Sequence, residues 1–221
     1  MIKMTKGQEP QILLDNKQKW TKALFAQSPQ ERKLKPSVAT KYRHEKVKAA
    51  LIKETRGKCV YCESKILHVH HGDVEHILPK SLYEDQTFEW KNLTLACEIC
   101  NQNKSNRDPN LEYIINPYIV DPELSINFAG SFMCTKDVAG ANTKTIIDLN
   151  RTALLEKRME RIQAIDVIKN IILDLGREPI IRKVVLGDFI KNELCGKSEY
   201  SAMVKCFYEL WKQDIPSELF Q

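Results

Sequence analysis

The sequence predicts an α+β protein, mostly helical: a small β core flanked by a basic N-terminal helical arm and a helical C-terminal region. Three observations predict it. Two Cys-x-x-Cys pairs bracket a stretch of short apolar runs and turn residues. A lysine-rich segment precedes that stretch, and the last third of the chain carries apolar residues at helical spacing. The expected divisions are an arm over 1–57, a core over 58–110, and a hairpin with helices over 111–221.

The elements follow in order. PQILLDNKQKWTKALF predicts a short helix around Leu14, Trp20, Leu24 and Phe25, with Pro29 and Pro36 marking a linker. Ser37 is placed to cap a basic helix, VATKYRHEKVKAALIKETR, that ends at Gly57. Residues 58–108 read as short strands, a long loop and a short helix. SINFAGSFMC predicts a hairpin turning at Ala129-Gly130. RTALLEKRMERIQAIDVIKNIILDLG has apolar residues at 154, 155, 159, 162, 165, 168, 172 and 175 and closes at Gly176. EPIIRKVVLGDFIKNEL and SEYSAMVKCFYELWKQD predict two further helices, and Pro216 ends the pattern. The aromatic residues Tyr200, Phe207, Tyr208 and Trp211 are expected to bury against either a partner or the protein's own core.

No run of 18 apolar residues is present, so no membrane span is expected. The opening MIKMTKGQEP lacks the apolar core of a secretory signal, which predicts a cytoplasmic protein. The net charge of +5 is unevenly spread. Residues 1–58 hold 15 Lys+Arg against 5 Asp+Glu, a balance of +10, and residues 59–221 hold 19 against 24, a balance of −5. A basic arm on a mildly acidic body predicts an anionic partner, nucleic acid first, whose binding weakens steeply with salt. A flat salt response would mean that the arm contacts protein.

Cys59-x-x-Cys62 and Cys97-x-x-Cys100 are separated by 34 residues. Each pair sets two thiolates on one side of a tight turn, and two such turns supply the four tetrahedral sulfurs of a structural Zn²⁺ site. A closed four-sulfur site has no open position, so this metal would fold the chain and not catalyse. Cys134, Cys195 and Cys206 lack such spacing and are expected to be buried free thiols.

Between the pairs lie VEHILPKS and EWKNLTLAC, and the second pair runs directly into CNQNK. This order of Cys-x-x-Cys, Glu-His, Asn and Cys-x-x-Cys-Asn-x-x-Lys resembles the HNH endonucleases that carry a zinc knuckle, over residues 59–104. The resemblance implies a ββα-metal fold, two antiparallel strands and a helix around one divalent ion. It implies that His76 is the general base and that Glu75 and Asn101 hold the catalytic ion. It further implies that Asn92 pins the loop between the strands and that Lys104 contacts phosphate. Oxygen donors suit Mg²⁺ or Mn²⁺. Glu75 stands where many members have Asp, so Asp73 is kept as an alternative ligand. A regular strand would also send Glu75 and His76 to opposite faces, which demands a twist at its end. His68, His70 and His71 are expected to be exposed polar residues, with substrate holding or a second metal as the other reading. His44 is expected on the surface or facing phosphate.

The wider pattern EHILPKS…EWKNLTLACEICNQNK, with NPYIVDPELSINFAG, TIIDLN and a helix holding Leu155 and Arg158, resembles the HNH nuclease subunit of Septu-type anti-phage systems, including retron-linked ones. It implies a defence nuclease working beside an ATPase partner, docked through the terminal helices. The chain itself has no G-x-x-x-x-G-K-[ST] for ATP. DNA is the expected substrate and RNA, transfer RNA for instance, the alternative. A non-catalytic zinc-knuckle protein that binds or scaffolds nucleic acid would share the zinc and the basic arm, but it would have no use for Glu75, His76, Asn92 and Asn101 in this order.

Overall fold

A computed structural model describes residues 1–28, 30–31, 38–66 and 71–220. Pro29, Pro36, Ser37, His68 and His70, named above, lie outside them. Helices dominate, with two small antiparallel sheets. Among the described residues, no helix is long and apolar enough to cross a membrane.

The centre is a ββα unit. β1 (Asp73–His76) pairs antiparallel with β2 (Leu93–Ala96), in a register that sets Glu75 opposite Thr94 and His76 opposite Leu93. A short helix, here α3 (Glu98–Lys104), follows β2 after one residue and packs on β1. All four residues of β2 are buried, because a helix from the arm covers it and the first cysteine turn hydrogen-bonds to its edge through Val60 N on Leu95 O, 3.0 Å.

The arm contributes α1 (Gln11–Phe25) and α2 (Glu45–Thr55), and α2 lies on β2. The buried face of α1 is Leu13, Trp20 and Leu24, whereas Leu14 and Phe25 are half exposed. Trp20 and Leu24 are buried as expected, and Leu13 takes the place of Leu14 because 13, 20 and 24 share one helical face, on which Trp20 stands edge-to-face on Phe88, 5.6 Å between centroids. The expected basic helix is also shorter. Residues 41–43 form a 3-10 turn and α2 starts after His44, whose Nδ1 accepts from Lys46 N at 3.1 Å. His44 is thus a helix cap. The helix ends with Arg56 and Gly57 both left-handed, at φ 57° and 71°.

The C-terminal region opens with α4 (Pro109–Glu112) and the hairpin of β3 (Ile126–Ala129) and β4 (Phe132–Thr135), turning through Gly130 at φ 59°. Then come α5 (Val138–Ile146), α6 (Thr152–Leu173), α7 (Pro179–Asn192) and α8 (Ser201–Glu209). α6 stops three residues before Gly176, with Asp174 already extended. Phe189, Tyr208 and Trp211 pack ring on ring at 5.1–5.7 Å, so these aromatic residues bury against the chain's own core. Cys195 is exposed and Cys134 and Cys206 are half-buried, against the expectation of buried thiols. Cys195 lies in the turn after α7, Cys134 in the two-stranded hairpin and Cys206 on a part-exposed side of α8. One apolar core runs through arm, centre and C-terminal helices, from Leu13 through Leu95 to Leu219.

Candidate active site and metal centre

The four cysteine sulfurs converge to within 4.8 Å of one another. The first pair lies in a turn closed by Cys59 N on Ser64 O and Glu63 N on Cys59 O, with Glu63 left-handed at φ 64°. The second pair is the start of α3: Cys97 occupies its cap position and Cys100 its first turn. Cys62 Sγ and Cys97 Sγ are 3.9 Å apart, close to the edge of about 3.8 Å that four tetrahedral Zn–S bonds require. The donor chemistry and the spacing both fit zinc. Burial pushes the Cys59 thiol up, while hydrogen bonds from Cys100, Cys59 and Cys97 hold Cys62 down. Sulfurs this close compete for protons, and a dication removes the competition.

Two groups beyond the cysteines support this centre. Both Nη atoms of Arg151 lie 3.7 Å from Cys100 Sγ, and Ser64 Oγ sits 3.2 Å from Cys62 Sγ. Neither carries a sequence signal, since both meet the sulfurs only through the fold.

Beside the zinc centre, a cleft of about 360 Å³ is lined by Glu75, His76 and Asn101 together with Tyr42, Arg43, Lys80 and Ser105. His76 is the last residue of β1, and it and Glu75 line the same cleft although they are adjacent in the strand. Its Nε2 is 3.0 Å from Thr87 O. A carbonyl can only accept, so Nε2 carries the proton and Nδ1 keeps the lone pair. The ring stands edge-on to Tyr42, 4.5 Å between centroids. Burial lowers the imidazole to about 4, so it is neutral at pH 7.

Asn92 is buried and spans the loop between the strands. Its Oδ1 accepts from Leu78 N at 2.7 Å, and its Nδ2 donates to Leu78 O at 3.0 Å and Gln86 O at 3.2 Å. It touches backbone alone in these contacts, so it acts by holding the loop that carries the Thr87 carbonyl.

Glu75 Oε1 and the Lys104 ammonium form a buried ion pair at 2.8 Å. Burial raises the Glu75 carboxyl, and Lys104 opposes that rise. Lys104 is fully buried and also donates to His76 O at 2.9 Å. The expectation that Lys104 contacts phosphate is therefore corrected: the last turn of α3 aims it inward at β1, and it does not line the cleft. Asn101 Nδ2 donates to Asp73 Oδ2 at 3.0 Å, which engages Asp73 and leaves the amide oxygen of Asn101 as a donor. A carboxylate and an amide oxygen in one cleft fit a hard cation that keeps water and phosphate as its remaining ligands. His71 is exposed.

Residues 59–110 match the HNH endonuclease family model. This segment, which holds the ββα unit, is similar to an HNH endonuclease domain. The chain is also similar to two proteins named Septu protein PtuB. The one from Bacillus thuringiensis is 35% identical over 106 residues, 48% of this chain and 41% of the relative. The one from Bacillus mycoides (strain KBAB4) is 30% identical over 166 residues, 60% of this chain and 56% of the relative. The chain thus spans about half the length of these relatives. All of the cleft residues on β1 and α3, and all four cysteines, fall within the HNH domain. Tyr42 and Arg43 lie outside it and reach the cleft from the arm. Sequence reasoning missed them because their segment reads as uninterrupted helix.

Proposed function

We propose that the chain is a metal-dependent endonuclease that hydrolyses phosphodiester bonds in nucleic acid, DNA first, as the nuclease of a Septu-type defence system beside an ATPase partner. One observation carries the catalytic reading: in the cleft that Glu75 and Asn101 also line, the Thr87 carbonyl fixes the His76 tautomer so that Nδ1 is the free base. The defence role and the partner are inferred from the similarity to the Septu proteins.

In this reading His76 Nδ1 takes a proton from water attacking the phosphorus. Thr87 and Tyr42 hold the ring in place, and Asn92 holds the loop behind Thr87. Glu75 and Asn101 would hold Mg²⁺ or Mn²⁺, which supplies charge stabilisation to the phosphate and the departing 3′-oxygen. Lys104 keeps the Glu75 carboxylate charged and aimed while it is buried. The zinc centre sets the start of α3, and so the position of Asn101.

The test is cleavage of plasmid, single-stranded DNA and transfer RNA by the zinc-loaded protein with Mg²⁺ or Mn²⁺, alone and with its ATPase neighbour. His76→Ala is expected to abolish cleavage while fold and zinc content persist. Cutting by that variant, or full activity with Zn²⁺ alone, overturns the mechanism. Binding without cleavage under every condition supports a non-catalytic scaffold instead.

A further inference from the structure

Arg43 and Lys80 come from opposite sides of the HNH boundary, one from the arm and one from the loop after β1, and they meet on a single oxygen. Arg43 Nε donates to Tyr42 Oη at 3.0 Å and Lys80 Nζ donates to it at 3.2 Å. The two nitrogens are therefore no more than 6.2 Å apart, the sum of those distances. Both cations also lie over the Tyr42 ring, at 5.4 and 4.9 Å from its centroid. Neither has a carboxylate partner among the described residues, and what sets the two apart from other exposed cations is that they converge on one buried phenol in the cleft.

Two like charges drawn onto one neutral phenol, both side chains otherwise exposed, are not a means of holding the fold together. They repel, and a phenol oxygen answers neither charge. An anion with two oxygens to offer satisfies both cations at once. The platform is fixed, because Tyr42 is 2% exposed and its ring rests on His76 at 4.5 Å. Both cations line the same cleft as His76, Glu75 and Asn101.

We propose that Arg43 and Lys80, posted on the Tyr42 hydroxyl, form a phosphate-binding subsite that seats the polynucleotide backbone beside His76. The inference deepens the nuclease reading and rests on it. Its consequence is that the arm is part of the substrate site and not only a general basic surface. Backbone contacts of this kind position a strand without reading bases, so the subsite should accept many sequences.

The test uses full-length, zinc-loaded protein. Kinetics are measured on duplex DNA, single-stranded DNA and RNA for wild type, Arg43→Gln, Lys80→Gln and the double variant. Equilibrium binding is measured across a salt series in the cleavage-dead His76→Ala background. Each charge removed should raise KM while kcat holds. Each should also flatten the plot of log affinity against log salt by about 0.9 on duplex and about 0.7 on single strands. Tyr42→Phe keeps the ring on His76 but removes the shared oxygen, so KM should rise toward that of the double variant. The arm that responds most identifies the polymer. If wild type cuts and binds but the double variant keeps its KM and salt slope, the subsite is wrong and the nuclease reading stands. If wild type neither binds nor cuts any polymer with Mg²⁺ or Mn²⁺, the nuclease reading fails and takes the subsite with it.

Discussion

Replacing Asn92 with Ala separates a loop-holding side chain from one that touches substrate. The amide makes three hydrogen bonds, to Leu78 N, Leu78 O and Gln86 O, from a position only 4% exposed. At about 1 kcal/mol net for each bond, the loss is about 3 kcal/mol, more if the backbone groups left behind stay dry. For a chain of this size 1 kcal/mol moves Tm by roughly 2–4 °C, so the expected drop is roughly 6–12 °C. Asn92→Asp should do no better. It keeps an acceptor for Leu78 N but turns a buried carboxylate oxygen toward two carbonyls. Thermal unfolding followed by circular dichroism, on protein of equal zinc content, measures the shift. Below the new Tm, cleavage should slow through kcat, because the Thr87 carbonyl that orients His76 is carried by the released loop. An unchanged Tm with lost activity would refute the reasoning and make Asn92 a substrate contact.

Further outcomes follow from the same geometry. Lys104→Met leaves Glu75 buried without its counter-ion and should cost about 3–5 kcal/mol in denaturant unfolding; a Lys104 that served phosphate would instead leave stability intact and weaken binding. Because burial lowers His76 to about 4, kcat/KM should stay flat as pH falls through 6.5 and decline only near 4. The same shift makes folding lose stability as pH drops from about 6.5 toward 4, since only the unfolded imidazole then takes up a proton; an acid limb at 6.5 contradicts both expectations. Arg151→Met removes two guanidinium contacts from Cys100 and should weaken zinc retention by about 10–100-fold, read as release to a chromogenic chelator. Stripping the zinc with a strong chelator should unfold the HNH domain, seen as loss of helical signal.

The cysteine cluster was legible because its chemistry is local: two Cys-x-x-Cys turns whose four sulfurs converge suit a tetrahedral metal. The ββα core was legible through the order of Glu75, His76, Asn92 and the second cysteine pair. What stayed hidden depends on contacts distant in sequence. Val, Ala, Lys and Tyr all tolerate a helix, so nothing in VATKYRHEKVKAA announces the break at His44; the packing of Tyr42 on His76, across 34 positions, accompanies it. A lysine at the end of a short helix reads as solvated, and only the carboxylate on β1 makes Lys104 a buried residue. The inward face of α1 was in fact legible, since Leu13, Trp20 and Leu24 keep regular helical spacing and Leu14 does not share it with Trp20.

These features form one electrostatic arrangement. Four thiolates holding one Zn²⁺ would carry a formal charge of −2 in the interior, which Arg151 at Cys100 would reduce. Lys104 meets Glu75 on β1, and Lys58 and the N-terminal ammonium of Met1 both meet Glu63 beside the first cysteine turn. These buried carboxylates are answered by cations, as the cost of desolvation demands, whereas the buried Arg158 and Arg182 donate to backbone carbonyls. At the mouth of the cleft the matching stops, and Arg43 and Lys80 share one phenol. Two exposed cations held on one phenol, beside a neutral, carbonyl-oriented imidazole, are suited to an anion that arrives and leaves.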